Sequence, residues 1–170
     1  MNWTALPAAA AALAGALRAC AVDPGDQVRI MLRLADAADG SPVGGLLRRA
    51  ALTQVARACA GYVPNSYDDA RALREQVCAR FDAEILAAGN AGRDQVYLAF
   101  RILRLAVSRD LQARGDPLPR LRKVAVPQSL PASVLAHTLY GDATRADDLV
   151  QRTNPVHPLF MPQTLTVLDS

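Results

Sequence analysis

Residues 123–168 read KVAVPQSLPASVLAHTLYGDATRADDLVQRTNPVHPLFMPQTLTVL, and this stretch decides the fold. Its opening, 123–126 (KVAV), is a short β-prone run, and 127–130 (PQSL) is a turn. Residues 131–140 have helical spacing, with Val134, Leu135 and Leu139 on one side, and Gly141-Asp142 stops that helix. Residues 145–152 form a second short helix with Ala146, Leu149 and Val150 inward, and Asn154-Pro155 stops it. A loop with Pro158, Phe160 and Pro162 then leads to 165–168 (LTVL), a second β-prone run. The order is strand, helix, helix, strand: i, i+4 apolar spacing marks the helices and β-branched residues mark the ends.

Working outward, the order and spacing resemble a LysM module. The matching positions are Leu130, 134–136 (VLA), 139–141 (LYG), Leu149, Asn154-Pro155, Pro158 and 165–167 (LTV). LysM modules usually open with a Gly-Asp-Thr-Leu turn that helps form the glycan groove, and 127–130 (PQSL) stands there instead. The wording of 132–162, ASVLAHTLYGDATRADDLVQRTNPVHPLFMP, is similar to the C-terminus of the DNA circularisation protein family of Mu-like phages. Residues 66–69 (SYDD) and 116–121 (DPLPRL) are similar to it too, so the likeness covers roughly 45–168. That family's distinctive N-terminal domain is absent, so the chain reads as a fragment or a short member.

Upstream of this part the chain reads as helices. In a chain of 170 residues, 51% are apolar and 21% charged, which allows a packed core and argues against disorder. Aromatics are only 5% and alanine is abundant, which favours helices packed through small side chains. Residues 5–17 are apolar enough for a signal-peptide core. No Lys or Arg precedes them, however, and Arg18 sits before Ala19-Cys20 where a lipobox needs a small or apolar residue, so the stretch reads as a core helix starting near Pro7.

A second helix is expected over 27–38, capped by Asp26, with Val28, Met31, Leu32 and Ala35 on one face. A third spans 43–60, where Val43, Leu46, Leu47, Ala50, Ala51, Val55, Ala58 and Cys59 follow the 3, 4, 7, 8 spacing and Gln54 lies off that stripe. Ser66 reads as the N-cap of a fourth helix reaching about residue 88. The fifth, 93–113, carries two apolar stripes: Val96, Phe100, Leu103, Val107 and Leu111, and then Leu98, Ile102 and Leu105. A helix apolar on most sides is expected at the centre of a bundle. Pro117 and Pro119 cannot continue a helix, so the boundary falls there, giving a helical bundle over 1–115 and a LysM-like module over 120–170. No run is long enough to span a membrane.

The chemistry-bearing residues are sparse. Cys20, Cys59 and Cys78 are far apart and read as reduced, buried thiols, and His137 and His157 lack a carboxylate or thiol neighbour, so no metal site is expected. Ser133 and His137 are one turn apart without a nucleophile turn around them. Asp68-Asp69 and Asp147-Asp148 each fall in a first helical turn, where the dipole alone accounts for them. There is no Gly-rich phosphate loop, so no catalytic residue and no cofactor is expected.

Net charge is +3, almost wholly from arginine, and residues 93–123 hold eight basic against three acidic side chains. Arg120, Arg122 and Lys123 are the candidate DNA contacts if this stripe neutralises phosphates. Solvated charge and ion pairs are the simpler reading.

The resemblance implies a mainly α fold, about five bundled helices followed by a small βααβ module. It implies a non-enzymatic tail or baseplate assembly protein of a Mu-like phage or a prophage-derived particle. Its partners would be other tail or baseplate proteins in a symmetric assembly, in the bacterial host cytoplasm and then in the virion tail. The candidate docking loop is Asn154, Pro155, His157, Pro158, Phe160 and Met161, with Met161 and Leu159 the candidates for packing inward and Phe160 either an exposed docking anchor or the lid of the core. The other readings are a peptidoglycan-binding module, using Gln128, Ser129, Leu130 and Asn154, and a DNA-end-binding protein.

Overall fold

The computed structural model describes residues 5–169. The chain is mainly helical, with seven α-helices and one two-stranded antiparallel sheet among the described residues. Its residues cluster into two compact units, Met1–Asn65 with Asp69–Asp116, and Ser66–Asp68 with Pro117–Ser170.

The first unit holds α1 (Leu6–Ala19), α2 (Pro24–Ala37), α3 (Pro42–Gly61), most of α4 (Tyr67–Asn90) and α5 (Asp94–Gly115). Proline and an oxygen-bearing side chain set two of the starts. The Asp23 carboxylate accepts the Asp26 N–H at 2.9 Å and Pro24 takes the first helical position, so the cap of α2 is Asp23 and not Asp26. Ser41 does the same for α3: its Oγ accepts the Gly44 N–H at 3.0 Å, with Pro42 behind it. Gly44 is required there, since a Cβ would lie 2.5 Å from the Asp39 carbonyl oxygen.

The core is formed by Val28, Met31 and Leu32 of α2, Leu52, Val55 and Ala58 of α3, Val77 and Phe81 of α4, and Phe100, Val107 and Leu111 of α5. Helix α3 is central, packing on α1, α2 and α5. The expectation that α5 is the central helix is therefore corrected. Its Phe100, Val107 and Leu111 are buried, but its second stripe of Leu98, Ile102 and Leu105 faces outward.

Polar groups tie the helices. Gln54, off the apolar stripe of α3, is buried, and its Oε1 accepts from Arg18 Nε at 2.9 Å. Glu84 is also buried, with Arg49 Nη1 3.2 Å and Arg48 Nη1 3.9 Å away. Near the C-terminus of α3, Arg114 donates to the carbonyls of Cys59, at 2.7 Å, and Tyr62, which meets the need of a helix end for donors. Cys59 and Cys78 are buried free thiols, whereas Cys20 is exposed, against the expectation of three buried ones.

In the second unit, β1 (Leu121–Ala125) pairs with β2 (Thr164–Leu168) in antiparallel register, Leu121 opposite Leu168 and Ala125 opposite Thr164. Backbone bonds continue the ladder at both ends, Val126 N–H to Gln163 O at 2.7 Å and Asp169 N–H to Arg120 O at 2.7 Å. Between the strands come α6 (Ala132–Tyr140), a 3-10 turn (Ala143–Arg145) and α7 (Ala146–Thr153). Leu135 and Ala136 of α6, Leu149 of α7, Leu165 and Val167 of β2, and Met161 make one core. Val134, expected inward with Leu135, is half-exposed instead.

Both helix stops lie in the left-handed region, Gly141 at φ 72° and Asn154 at φ 46°. Residues 66–68 join this unit through three contacts. The Tyr67 N–H donates to Pro119 O at 3.1 Å, the Asp68 carboxylate accepts the Leu121 N–H at 2.6 Å, and the Arg120 guanidinium lies 4.5 Å from the Tyr67 ring centroid. Asp68 therefore does more than offset the helix dipole.

Candidate functional site

The candidate docking loop begins where α7 ends. Asn154 turns the chain out of the helix in the left-handed conformation, its N–H still donating to Val150 O at 2.8 Å. The loop is then tied to the segment before α6. Pro158 O accepts the Ala132 N–H at 2.9 Å, Leu130 O accepts the Met161 N–H at 3.2 Å, and Met161 O accepts from Ser129 Oγ at 2.8 Å. Within the loop, the Phe160 N–H donates to His157 O at 3.0 Å and the Leu159 N–H to His157 Nδ1 at 3.1 Å. Pro155, Pro158 and Pro162 fix φ around these bonds.

This framework sorts the side chains. Met161 is wholly buried in the core of the unit. Phe160 is 71% exposed and Leu159 54% exposed, and Val156 is fully exposed. The expectation that Leu159 packs inward is corrected. The bond from the Leu159 N–H to His157 holds this segment as a turn, and of Leu159, Phe160 and Met161 it is Met161 that enters the core. The His157 and Phe160 rings lie 6.2 Å apart at 53°, so the imidazole flanks the exposed phenyl. Asn154, His157 and Pro158 are exposed and Pro155 is half-buried. Val156 and Leu159 carry as much of the apolar surface as Phe160. The sequence signal for them was present, since both sit among the same prolines.

The residues proposed for a glycan groove stand against this loop. Ser129 uses its hydroxyl on Met161 O, and the Leu130 carbonyl is taken by the Met161 N–H. Gln128 is exposed. Of the candidate DNA contacts, Arg120 stacks on Tyr67 and Arg122 Nε lies 3.1 Å from Asp169 Oδ1. Lys123 is exposed on β1 opposite Thr166. Elsewhere on the basic stretch, Arg104 pairs with Asp82 at 2.6 Å and Arg114 with Asp110.

The remaining candidates for chemistry do not converge. His137 is exposed on α6, and no group of three or more His, Cys, Asp or Glu side chains with metal-holding geometry occurs among the described residues. Asp148 pairs with Arg152 at 2.8 Å and Arg145 at 3.8 Å. The Asp142 carboxyl is held below its ordinary range by the hydroxyl and N–H of Thr144. Burial pushes the Cys59 thiol up to about 12, which removes it as a nucleophile at neutral pH. No helix among the described residues is long and apolar enough to cross a membrane.

No protein-family model matches the chain. No curated protein matches it either.

Proposed function

We propose that this chain is a structural assembly protein of a phage tail or baseplate, or of a prophage-derived tail particle, and that it acts by docking and not by catalysis. The likeness of 132–162 to the C-terminus of the Mu-like DNA circularisation proteins supplies the setting. In this reading the second unit is a LysM-like βααβ module that serves as a protein-docking unit, with partners among the other tail or baseplate proteins. The protein acts in the host cytoplasm during assembly and then resides in the virion tail.

One observation carries the reading: Val156, Leu159 and Phe160 are exposed together on a loop whose backbone is fixed by hydrogen bonds at both ends. Presenting apolar side chains from a pre-ordered loop lowers the entropy cost of binding, and exposed aromatics often anchor protein interfaces. A glycan site needs free hydrogen-bonding groups beside an open groove. Here the hydroxyl of Ser129 and the carbonyl of Leu130 are engaged within the protein.

The test is localisation by cryo-EM of assembled tail particles, comparing the native chain with a Leu159→Ser/Phe160→Ser variant. The native chain is expected at a fixed place in the particle with loop 154–161 against a neighbour, and the variant is expected to be missing. Incorporation of the variant at native occupancy would refute docking through this loop.

A further inference from the structure

Helix α5 carries a second surface, on the side opposite its buried stripe. Leu98 is 55% exposed, Ile102 71% and Leu105 47%. At about 100° per residue, Asp94 and Arg109 fall on the same side, one turn beyond each end of the three apolar residues. Both are exposed, and no ion pair engages either one among the described residues. Most other charged side chains of this helix have partners: Arg104 with Asp82, Arg114 with Asp110, and Arg101 over the Tyr97 ring at 5.5 Å. The face thus runs negative, Leu, Ile, Leu, positive over a rise of about 22 Å.

That order is self-complementary, and we propose that a second copy of this chain covers it. The two α5 helices pair antiparallel about a twofold axis between Arg101 and Ile102. This axis sets Leu98 against the partner subunit's Leu105 and Asp94 against the partner subunit's Arg109, and each contact occurs twice. Ile102 meets its own counterpart near the axis. Arg101, the one cation beside the axis, is drawn onto its own Tyr97. A parallel pairing would instead set like charges together at both ends, so the charges select the antiparallel arrangement. A twofold contact of this kind is isologous and closes on itself. The helices α4 and α5 flank a depression of about 400 Å³ lined by Ile85, Tyr97, Arg101 and Leu105, which gives the partner's side chains room beside the stripe. This surface lies on the first unit and does not depend on the docking loop.

Sedimentation velocity of the full chain from 1 to 200 µM, concentrations set by the expected affinity, tests the proposal. One helix pair with three apolar side chains per copy is a small interface, so a dissociation constant on the order of 10 µM is expected. Ile102→Asp should weaken the dimer at least tenfold with unchanged helical circular dichroism, since the position is exposed. Asp94→Arg or Arg109→Asp alone should weaken it about tenfold at low salt, each creating two like-charge contacts. Mixing those two variants should form a heterodimer at native strength, because each then supplies the charge that the other lacks. A chain that stays monomeric at 200 µM overturns the proposal. So does a dimer indifferent to Ile102→Asp, and a mixture no tighter than its components overturns the antiparallel register.

Discussion

Phe160→Ala and Met161→Ala are adjacent truncations that should behave as opposites. Burying a whole phenylalanine side chain contributes about 1.5–3 kcal/mol. Phe160 is 71% exposed, so only about three-tenths of it has left water. Its loss should cost about 0.5–1 kcal/mol, with no cavity contribution because the site opens to solvent. Met161 is 0% exposed and belongs to the core of its unit together with Leu135, with Leu130 packed against that core. Removing it should cost about 2–5 kcal/mol, since the space it fills is closed on all sides. Because the chain has two units, a single melting curve mixes two events. Native-state hydrogen exchange at the Leu165 and Val167 amides of β2 reads the second unit alone. Phe160→Ala should leave their protection nearly intact, and Met161→Ala should cut it at least thirtyfold. If Phe160→Ala removed more than about 2 kcal/mol, the phenyl would be a lid on the core and the docking role would fail for this residue.

Three further outcomes are expected in the first unit. Glu84→Ala removes the buried carboxylate between Arg48 and Arg49 and should cost about 2–4 kcal/mol in denaturant unfolding, whereas Glu84→Gln, which keeps an acceptor, should cost less. Gly44→Ala drives a methyl into the Asp39 carbonyl and should lose about 1–3 kcal/mol, whereas Gly45→Ala, whose Cβ would sit 3.4 Å from Arg49 Nη1, should be neutral or gain up to about 1 kcal/mol. Burial raises the Cys59 thiol from 9.0 to about 12. Above pH 9 the unfolded chain gives up a Cys59 proton that the folded one keeps, so this thiol's contribution lowers stability by up to about 1.4 kcal/mol per pH unit as pH rises toward 12. Alkaline denaturant curves of Cys59→Val should be shallower by that contribution, and an unchanged slope would count against burial of this thiol.

The helix stops were legible because they rest on single residues. Glycine at 141 and asparagine before proline at 154 are the residue types that take a left-handed backbone, and both do so here. Helix α2 has its cap three residues before the expected one at Asp26, because two aspartates compete for the cap and Pro24 decides in favour of Asp23. Gln54 lies off the apolar stripe of α3 and is nonetheless buried, because its partner Arg18 lies 36 positions upstream, a separation that no local pattern reports. The two stripes of α5 show the limit most clearly. Periodicity measures which residues are apolar, not what covers them, and Leu98-Ile102-Leu105 has the same spacing whether it faces a core or solvent. At the loop the proline frame was legible in the sequence, while whether Phe160 and Leu159 face solvent or the core depended on backbone bonds from this segment to Ser129 and Leu130.

The contact between Asp68 and the Leu121 amide joins positions 53 residues apart, and it orders events while the chain is being made. At synthesis rates of about 5–20 residues per second, the carboxylate emerges roughly 3–10 seconds before the amide it will accept. During that interval Tyr67 and Asp68 can act only as the first turn of a helix. The strand β2, which completes the sheet, follows more than forty positions after Leu121, so the second unit can close only when nearly the whole described chain has left the ribosome. A ribosome stalled after α7 is made but before residue 164 would therefore hold a chain with the apolar faces of α6 and α7 uncovered by β2.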